Sequence, residues 1–132
     1  MNLITDRTQA DVLAGTEKGF YTLRDLDRVE MATQSLCTEL HRLDIHLPLT
    51  VCTQWQTQRK MPTREHMTRY LQNIRALSDA LQLTPDLPES MENLNYQGAN
   101  RIELTLEQSC KRVRGILESY QMSGELFAGE ER

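Results

Sequence analysis

The chain lacks the patterns from which most catalytic centres are recognised. Its six glycines form neither a GxGxxG phosphate-binding pattern nor a GxSxG nucleophile elbow. Aromatic residues make up only 5% of the 132 residues, and no serine, histidine and aspartate fall in a recognisable triad context. These absences make an enzyme the least favoured class of function, and we predict a non-enzymatic protein without catalytic residues.

Cysteine pairs, long apolar runs and an excess of positive charge are also missing. The three cysteines contain no CxxC pair, which favours reduced thiols in a cytosolic protein over a disulfide framework. No apolar run approaches the roughly 20 residues that span a bilayer, and no signal peptide opens the chain. The net charge of −4 argues against a general nucleic-acid binder, because neutralising phosphates takes an excess of Lys and Arg. We therefore expect a soluble cytoplasmic protein that binds neither membranes nor nucleic acid.

The sequence does contain three helix starts, each followed by an apolar stripe. A residue whose side chain accepts hydrogen bonds stands at each N-cap position: Thr22, Thr63 and Asn95. Apolar residues then recur every three or four positions, as on the buried face of an amphipathic helix. Gly124 is a natural stop for the third helix. The pattern predicts helices over residues 22–44, 63–82 and 95–122.

The segments around these helices follow other patterns. Residues 1–20 are polar and predict an N-terminal arm. Residues 47–55 alternate apolar and polar side chains, which favours an extended segment, although Pro48 restricts it to an edge strand or a packed loop. Weak alternation at 124–128, within a C-terminal tail at 123–132, predicts a short β pairing with that segment. Together the patterns predict one mainly α domain, a small antiparallel three-helix bundle.

One pair of residues has the spacing of metal ligands. Cys37 and His41 stand four apart, so one helix face would present both side chains to an ion. No second spaced pair is near, and a buried thiol beside a histidine at the rim explains the spacing. His46 and Cys52 would complete such a site, but nothing in the sequence brings them there. We therefore predict no metal and no cofactor.

Glu103 and Glu107 have the spacing of a general acid and base, since they lie one helical turn apart. Glu107 and Lys111 are also four apart, in the order that favours an ion pair on a helix surface. An ordinary surface ion pair therefore accounts for Glu107, and neither glutamate is predicted to be catalytic.

Residues 59–75 form a local basic segment on this acidic chain, with five basic side chains against Glu65. Such a segment suits an acidic partner, nucleic acid, or a solvated rim whose Arg stems cover the bundle. Aromatic residues are nearly absent from it, so we favour a protein partner. Trp55, the one tryptophan, either plugs the end of the bundle or anchors a partner. The predicted partner-binding residues are Trp55, Arg59, Lys60, Arg64, Arg69 and Arg75.

Several blocks of sequence carry a resemblance when they are taken in order. They are Ile4-Thr5-Asp6-Arg7-Thr8 with Ala10-Asp11-Val12, Lys18-Gly19 and Tyr21 with Asp25-Leu26 and Arg28-Val29, Pro62-Thr63 with Met67, Arg69-Tyr70-Leu71 and Asn73-Ile74, Leu94 and Tyr96 with Ala99-Asn100 and Ile102-Glu103, and Gly124-Glu125-Leu126 with Ala128-Gly129-Glu130. The ordered set resembles a module of prophage-encoded proteins of Gram-positive bacteria, among tail and baseplate-associated minor structural proteins. Where that module is richer in Asn, this chain has Tyr21-Thr22 and Leu26-Asp27-Arg28-Val29. The resemblance implies a place, the phage particle or its production, and no reaction.

Two functions of different classes follow from these patterns. The first is a phage-derived structural or interaction module, associated with the tail or virion, that docks to other phage proteins or to copies of itself. It would be made in the host cytoplasm. The alternative is a small phage-encoded inhibitor or regulator that acts against host defence by binding host machinery through its acidic termini: Asp6, Asp11, Glu17, Glu125, Glu130 and Glu131.

Overall fold

The protein is mainly helical. The computed structural model describes residues 3–58 and 61–130. Within those ranges there are five α-helices and no strand: α1 (Gln9–Leu13), α2 (Leu23–Arg42), α3 (Trp55–Gln58), α4 (Arg64–Ala80) and α5 (Tyr96–Glu130). A 3₁₀ helix spans Glu17–Gly19. None of the helices in the described ranges is long and apolar enough to cross a membrane.

The three long helices, α2, α4 and α5, each begin one residue after the predicted N-cap. At α4 the Thr63 hydroxyl accepts from the His66 amide (3.2 Å), and His66 Nδ1 accepts from the Thr63 amide (3.1 Å). The histidine ring thus accepts the hydrogen bond that a Glu side chain usually accepts at this position of a capping box. At α5 Asn95 Oδ1 accepts from the amide of Gly98 (2.7 Å). Local capping chemistry therefore sets where the helices start.

The C-terminal end of α5 corrects three predictions. The helix continues through Gly124 to Glu130, so the stop at Gly124 and the tail beginning at residue 123 are wrong. Residues 47–54 are irregular and 124–128 are helical, so the predicted β pairing is wrong as well. Glycine within a helix costs only about 1 kcal/mol relative to alanine, which does not by itself end a helix.

Helices α2 and α4 end in the same way, each with a non-glycine residue in the left-handed region. Asp44 has φ 62° and Gln82 has φ 57°. After α4 the Gln82 amide donates to Asp79 (3.0 Å) and the Leu83 amide to Ser78 (2.9 Å), which is the Schellman pattern. This geometry turns the chain back sharply over the end of the helix.

Replacing Gln82 by Gly is expected to stabilise the protein by about 1 kcal/mol, because the left-handed conformation costs an L-residue roughly that amount and costs glycine nothing. Gln72, an exposed residue inside α4, offers a matched control. Its replacement by Gly should destabilise the protein by about 1 kcal/mol. Urea denaturation followed by circular dichroism measures both, and effects of the same sign would contradict the expectation.

The connections after α2 and α4 run back along the helix that they follow. The Trp55 amide donates to Asp27 near the start of α2 (2.8 Å), and Arg64, the first residue of α4, pairs with Glu92 just before α5. Both connections thus return before the next long helix begins, so α2, α4 and α5 all start at one end of the molecule. The predicted antiparallel arrangement is not confirmed. Connections this long do not force neighbouring helices to alternate, as tight turns do.

The stripes of the three long helices meet in a single core. Residues of α2, α4 and α5 contribute to it, and Trp55 joins it from α3. Its most deeply buried apolar members are Val29, Leu36, Leu40, Trp55, Tyr70, Ile74, Leu77, Ile102, Leu106 and Val113.

Candidate functional site

A buried cluster of charges joins the N-terminal arm to α2 and α5. Glu103 is fully buried and accepts from two arginines: Arg7 Nη2 lies 2.5 Å from its Oε2, and Arg28 Nε lies 2.7 Å from its Oε1. Asp25 completes the cluster, with one oxygen 3.3 Å from Arg7 Nη2 and a short contact to Arg28. The two negative charges of the carboxylates and the two positive charges of the guanidinium groups therefore cancel within the cluster. We refer to Arg7, Asp25, Arg28 and Glu103 as the arm cluster.

Backbone contacts hold the arm in place beside the arm cluster. The Ile4 amide donates to Glu103 (3.1 Å), and the Arg7 amide donates to Asn100 Oδ1 (3.0 Å). Asn100 in turn donates its side-chain amide to the Arg7 carbonyl (2.9 Å). The arm is thus bound to α5 through its main chain as well as through charge.

Two tyrosines lie against the arm cluster with their hydroxyls in contact, Tyr21 before α2 and Tyr70 on α4. Burial raises the pKa of both phenols, and the nearby Glu103 carboxylate adds to the effect. Burial alone would lower the pKa of the Arg28 guanidinium, but its hydrogen bonds to Glu103 and Asp25 outweigh that and raise it. The tyrosines therefore stay protonated and Arg28 stays charged at neutral pH.

A second buried acid, Glu30 on α2, holds the connection between α2 and α4. Its Oε1 accepts from Arg69 Nη1 (2.6 Å) and from the Cys52 amide (3.2 Å), and its Oε2 accepts from the Trp55 indole. Arg69 also donates to the carbonyl of Thr50 (2.5 Å). We refer to Glu30, Trp55 and Arg69 as the tryptophan cluster.

The buried polar atoms of both clusters each have a hydrogen-bond partner. No buried side-chain nitrogen or oxygen in the described part of the chain lacks a hydrogen-bond partner. A general acid or base needs a group that is free to meet a substrate, and Glu30 and Glu103 are already committed to arginines. The arrangement therefore fits the positioning of segments.

Neither cluster is predicted from the sequence, although the positions of their acids carry a signal. Glu30 stands four residues after Leu26, and Glu103 four after Ala99, so each acid falls on the apolar stripe of its helix. A charged residue on a buried face needs a partner of opposite charge. The partners lie too far along the chain to be found by spacing.

The four predicted partner-binding residues that lie in the described ranges do not share one exposed face. Trp55 is only 1% exposed, which agrees with a tryptophan that packs into the bundle rather than one that anchors a partner. Arg69 forms an ion pair with the buried Glu30. Arg64 is exposed and pairs with Glu92, and Arg75 is exposed and donates to the Pro88 carbonyl (3.1 Å). Two further predicted residues lie outside the described ranges: Arg59 and Lys60.

A groove of about 560 Å³ lies between α4 and the connection that follows it. Met67 and Leu71 line it from α4, and Met91 lines it from the connection. The lining also includes Arg64 and Arg75, the two exposed arginines of the basic segment. We call this the methionine groove.

The structure places the two residue pairs that have the spacing of a catalytic or metal site, Glu103 with Glu107 and Cys37 with His41, in different surroundings. Glu107 pairs with Lys111 (3.8 Å) on the surface, so that predicted ion pair is confirmed. Glu103 is buried and pairs with Arg7 and Arg28, so it does not face the same surroundings as Glu107. Around Cys37 and His41, the turn after α2 brings His46 to His41, which the sequence alone did not indicate. No group of three or more His, Cys, Asp or Glu side chains converges as a metal site within the described ranges.

Comparisons with protein-family models, with curated proteins and with solved structures find no match to this chain.

Proposed function

We propose that the protein is a non-enzymatic interaction module of a phage particle, which docks to another protein of the tail or virion through the methionine groove. The phage setting rests on the sequence resemblance. The docking rests on the groove, which combines apolar lining with exposed arginines. In this proposal the chain is made in the host cytoplasm and is then assembled into the particle, with self-association as one form of docking.

The chemistry of the groove supports this choice of surface. Met67 and Met91 have flexible, polarisable side chains, which adapt to the shape of an incoming apolar group. Arg75 supplies charge at the edge, and arginine is enriched among residues that dominate binding energy. Arg64 lies at the same edge and pairs with Glu92, so a partner's carboxylate would take the place of Glu92 there. A partner with an apolar side chain beside a carboxylate would meet both features. The interior clusters supply a rigid support, because their side chains are already hydrogen-bonded.

Replacing the two arginines of the groove by glutamate is expected to weaken docking. The double variant Arg64→Glu and Arg75→Glu should lower the amount of the chain that co-purifies with phage particles at least tenfold, as measured by quantitative mass spectrometry. The matched control is Arg112→Glu with Arg114→Glu, two exposed arginines of α5 that do not line the groove. Both doubles change the net charge equally.

Equal losses from the two double variants would contradict docking at the methionine groove, because only the change in net charge would then matter. Absence of the unmodified chain from purified particles would overturn the structural role. In that case, capture of a host protein that the groove variant fails to capture would support the alternative, a phage-encoded inhibitor.

A further inference from the structure

The turn after α2 places two histidine rings against each other. The Asp44 amide donates to the His41 carbonyl (3.0 Å) and the Ile45 amide to the Leu40 carbonyl (2.9 Å), so the chain folds back over the end of the helix. As a result His46 Nδ1 lies 2.6 Å from His41 Nδ1. The ring centroids are 4.3 Å apart and the planes meet at 77°. The contact therefore follows from the helix ending itself.

Such a contact requires a proton between the two nitrogens. A neutral imidazole carries hydrogen on one nitrogen and a lone pair on the other, so one Nδ1 donates and the other accepts. When the donor ring carries its hydrogen on Nε2 instead, both Nδ1 atoms present lone pairs that converge on one point. A metal ion placed there would satisfy both, as the proton does.

The distance between the nitrogens is close to that needed around an ion. With metal–nitrogen bonds of about 2.0–2.1 Å, two adjacent ligand nitrogens lie roughly 2.9–3.4 Å apart. The His41 and His46 nitrogens therefore need to separate by less than about 1 Å. Both residues are exposed at the edge of the protein, so their rings are free to make this adjustment without disturbing the core.

We propose that His41 and His46 together bind a divalent transition-metal ion through their Nδ1 atoms, with water completing its coordination. Imidazole suits Cu²⁺, Ni²⁺ and Zn²⁺, whereas Mg²⁺ and Ca²⁺ prefer oxygen. Cu²⁺ should bind most tightly, in keeping with the usual order of affinities. The site is independent of the methionine groove and of the docking proposed there.

Cys37 is a neighbour of this site and is assigned no role as a ligand. It lies one helical turn before His41 and lines the same surface groove, of about 570 Å³. Its thiol is half-buried, and this burial raises its pKa, so the side chain remains a neutral thiol at neutral pH. A thiol binds a metal ion as the thiolate, so coordination by Cys37 would require the loss of a proton that its burial disfavours.

Titration with Cu²⁺, Ni²⁺, Zn²⁺ and Mg²⁺ in separate calorimetric experiments tests the site. We expect micromolar binding of the first three ions, strongest for Cu²⁺, and no binding of Mg²⁺. His41→Ala and His46→Ala should each weaken Cu²⁺ binding at least tenfold. Binding should also weaken as the pH falls, because protons compete with the ion for the ring nitrogens.

Two variants serve as controls. His66→Gln removes the remaining histidine while keeping an acceptor at its capping position, and it should leave Cu²⁺ affinity unchanged. Cys37→Ser should also leave it unchanged. The proposal is overturned if no Cu²⁺ binds at about 1 mM, a concentration that would detect even a very weak site. It is equally overturned if either histidine variant keeps the wild-type affinity, or if His66→Gln or Cys37→Ser causes the same loss.

Discussion

Replacing Glu103 by Gln is expected to destabilise the protein by about 3–5 kcal/mol, because removing one partner of a buried ion pair leaves the other charge uncompensated. Glu103 is fully buried and is the shared acceptor for Arg7 and Arg28. The amide of glutamine has nearly the same shape as the carboxylate, so the expected loss comes from the lost charge and from the one acceptor oxygen that becomes an N–H donor. A loss of this size is a large part of the 5–15 kcal/mol that typically separates folded from unfolded chains.

Glu107 supplies the matched control, since it lies one turn further along α5 and pairs with Lys111 at the surface. Glu107→Gln should cost no more than about 0.5 kcal/mol, as is usual for exposed helix pairs. Urea denaturation measured side by side gives both values. Similar losses for the two variants would mean that the interior around Glu103 is open to water.

Replacing Arg69 by Glu is expected to cost about 3–5 kcal/mol as well, because it removes the cation that neutralises the buried Glu30 and adds a second negative charge. The Thr50 carbonyl also loses a donor. We expect the connection between α2 and α4 to loosen first, so Trp55 fluorescence should shift to the red at lower urea concentration than in the parent protein.

Arg64→Glu is the control for Arg69→Glu, because it makes the same change of charge on the same helix at an exposed position. Its cost should stay within about 1 kcal/mol, the range of a surface ion pair. If both variants were equally stable, Arg69 would belong with Arg64 on a solvated face. The expected difference also means that only Arg64 and Arg75 are suitable for testing docking in a folded protein.

The starts of the helices were predictable from sequence, whereas their ends and directions were not. Capping at Thr63 depends on residues within four positions, so the sequence displays it directly. The ends at Asp44 and Gln82 involve residues that rarely adopt a positive φ, and no glycine marks them. The shared direction of the long helices depends on how the connections pack, which residue spacing does not reveal.

The ion pairs of the candidate site could not be predicted from the sequence, because their partners are far apart in the chain. The arm cluster pairs Arg7 with Glu103 across 96 positions, and the tryptophan cluster pairs Glu30 with Arg69 across 39. Periodicity reports which face of a helix is buried, but it does not report which other helix covers that face. The basic segment was for this reason treated as one surface, although the structure divides it between interior and exterior.

The bond between Arg7 and Glu103 has a consequence for the order in which the chain folds during synthesis. Because 96 positions separate the two residues, Arg7 has no carboxylate from α5 until that helix has left the ribosome. The first turns of α2 can form early, since Asp25 and Arg28 are near neighbours in sequence. The arm emerges before α5, so its bond to Glu103 forms only after the first turns of α5 have been synthesised.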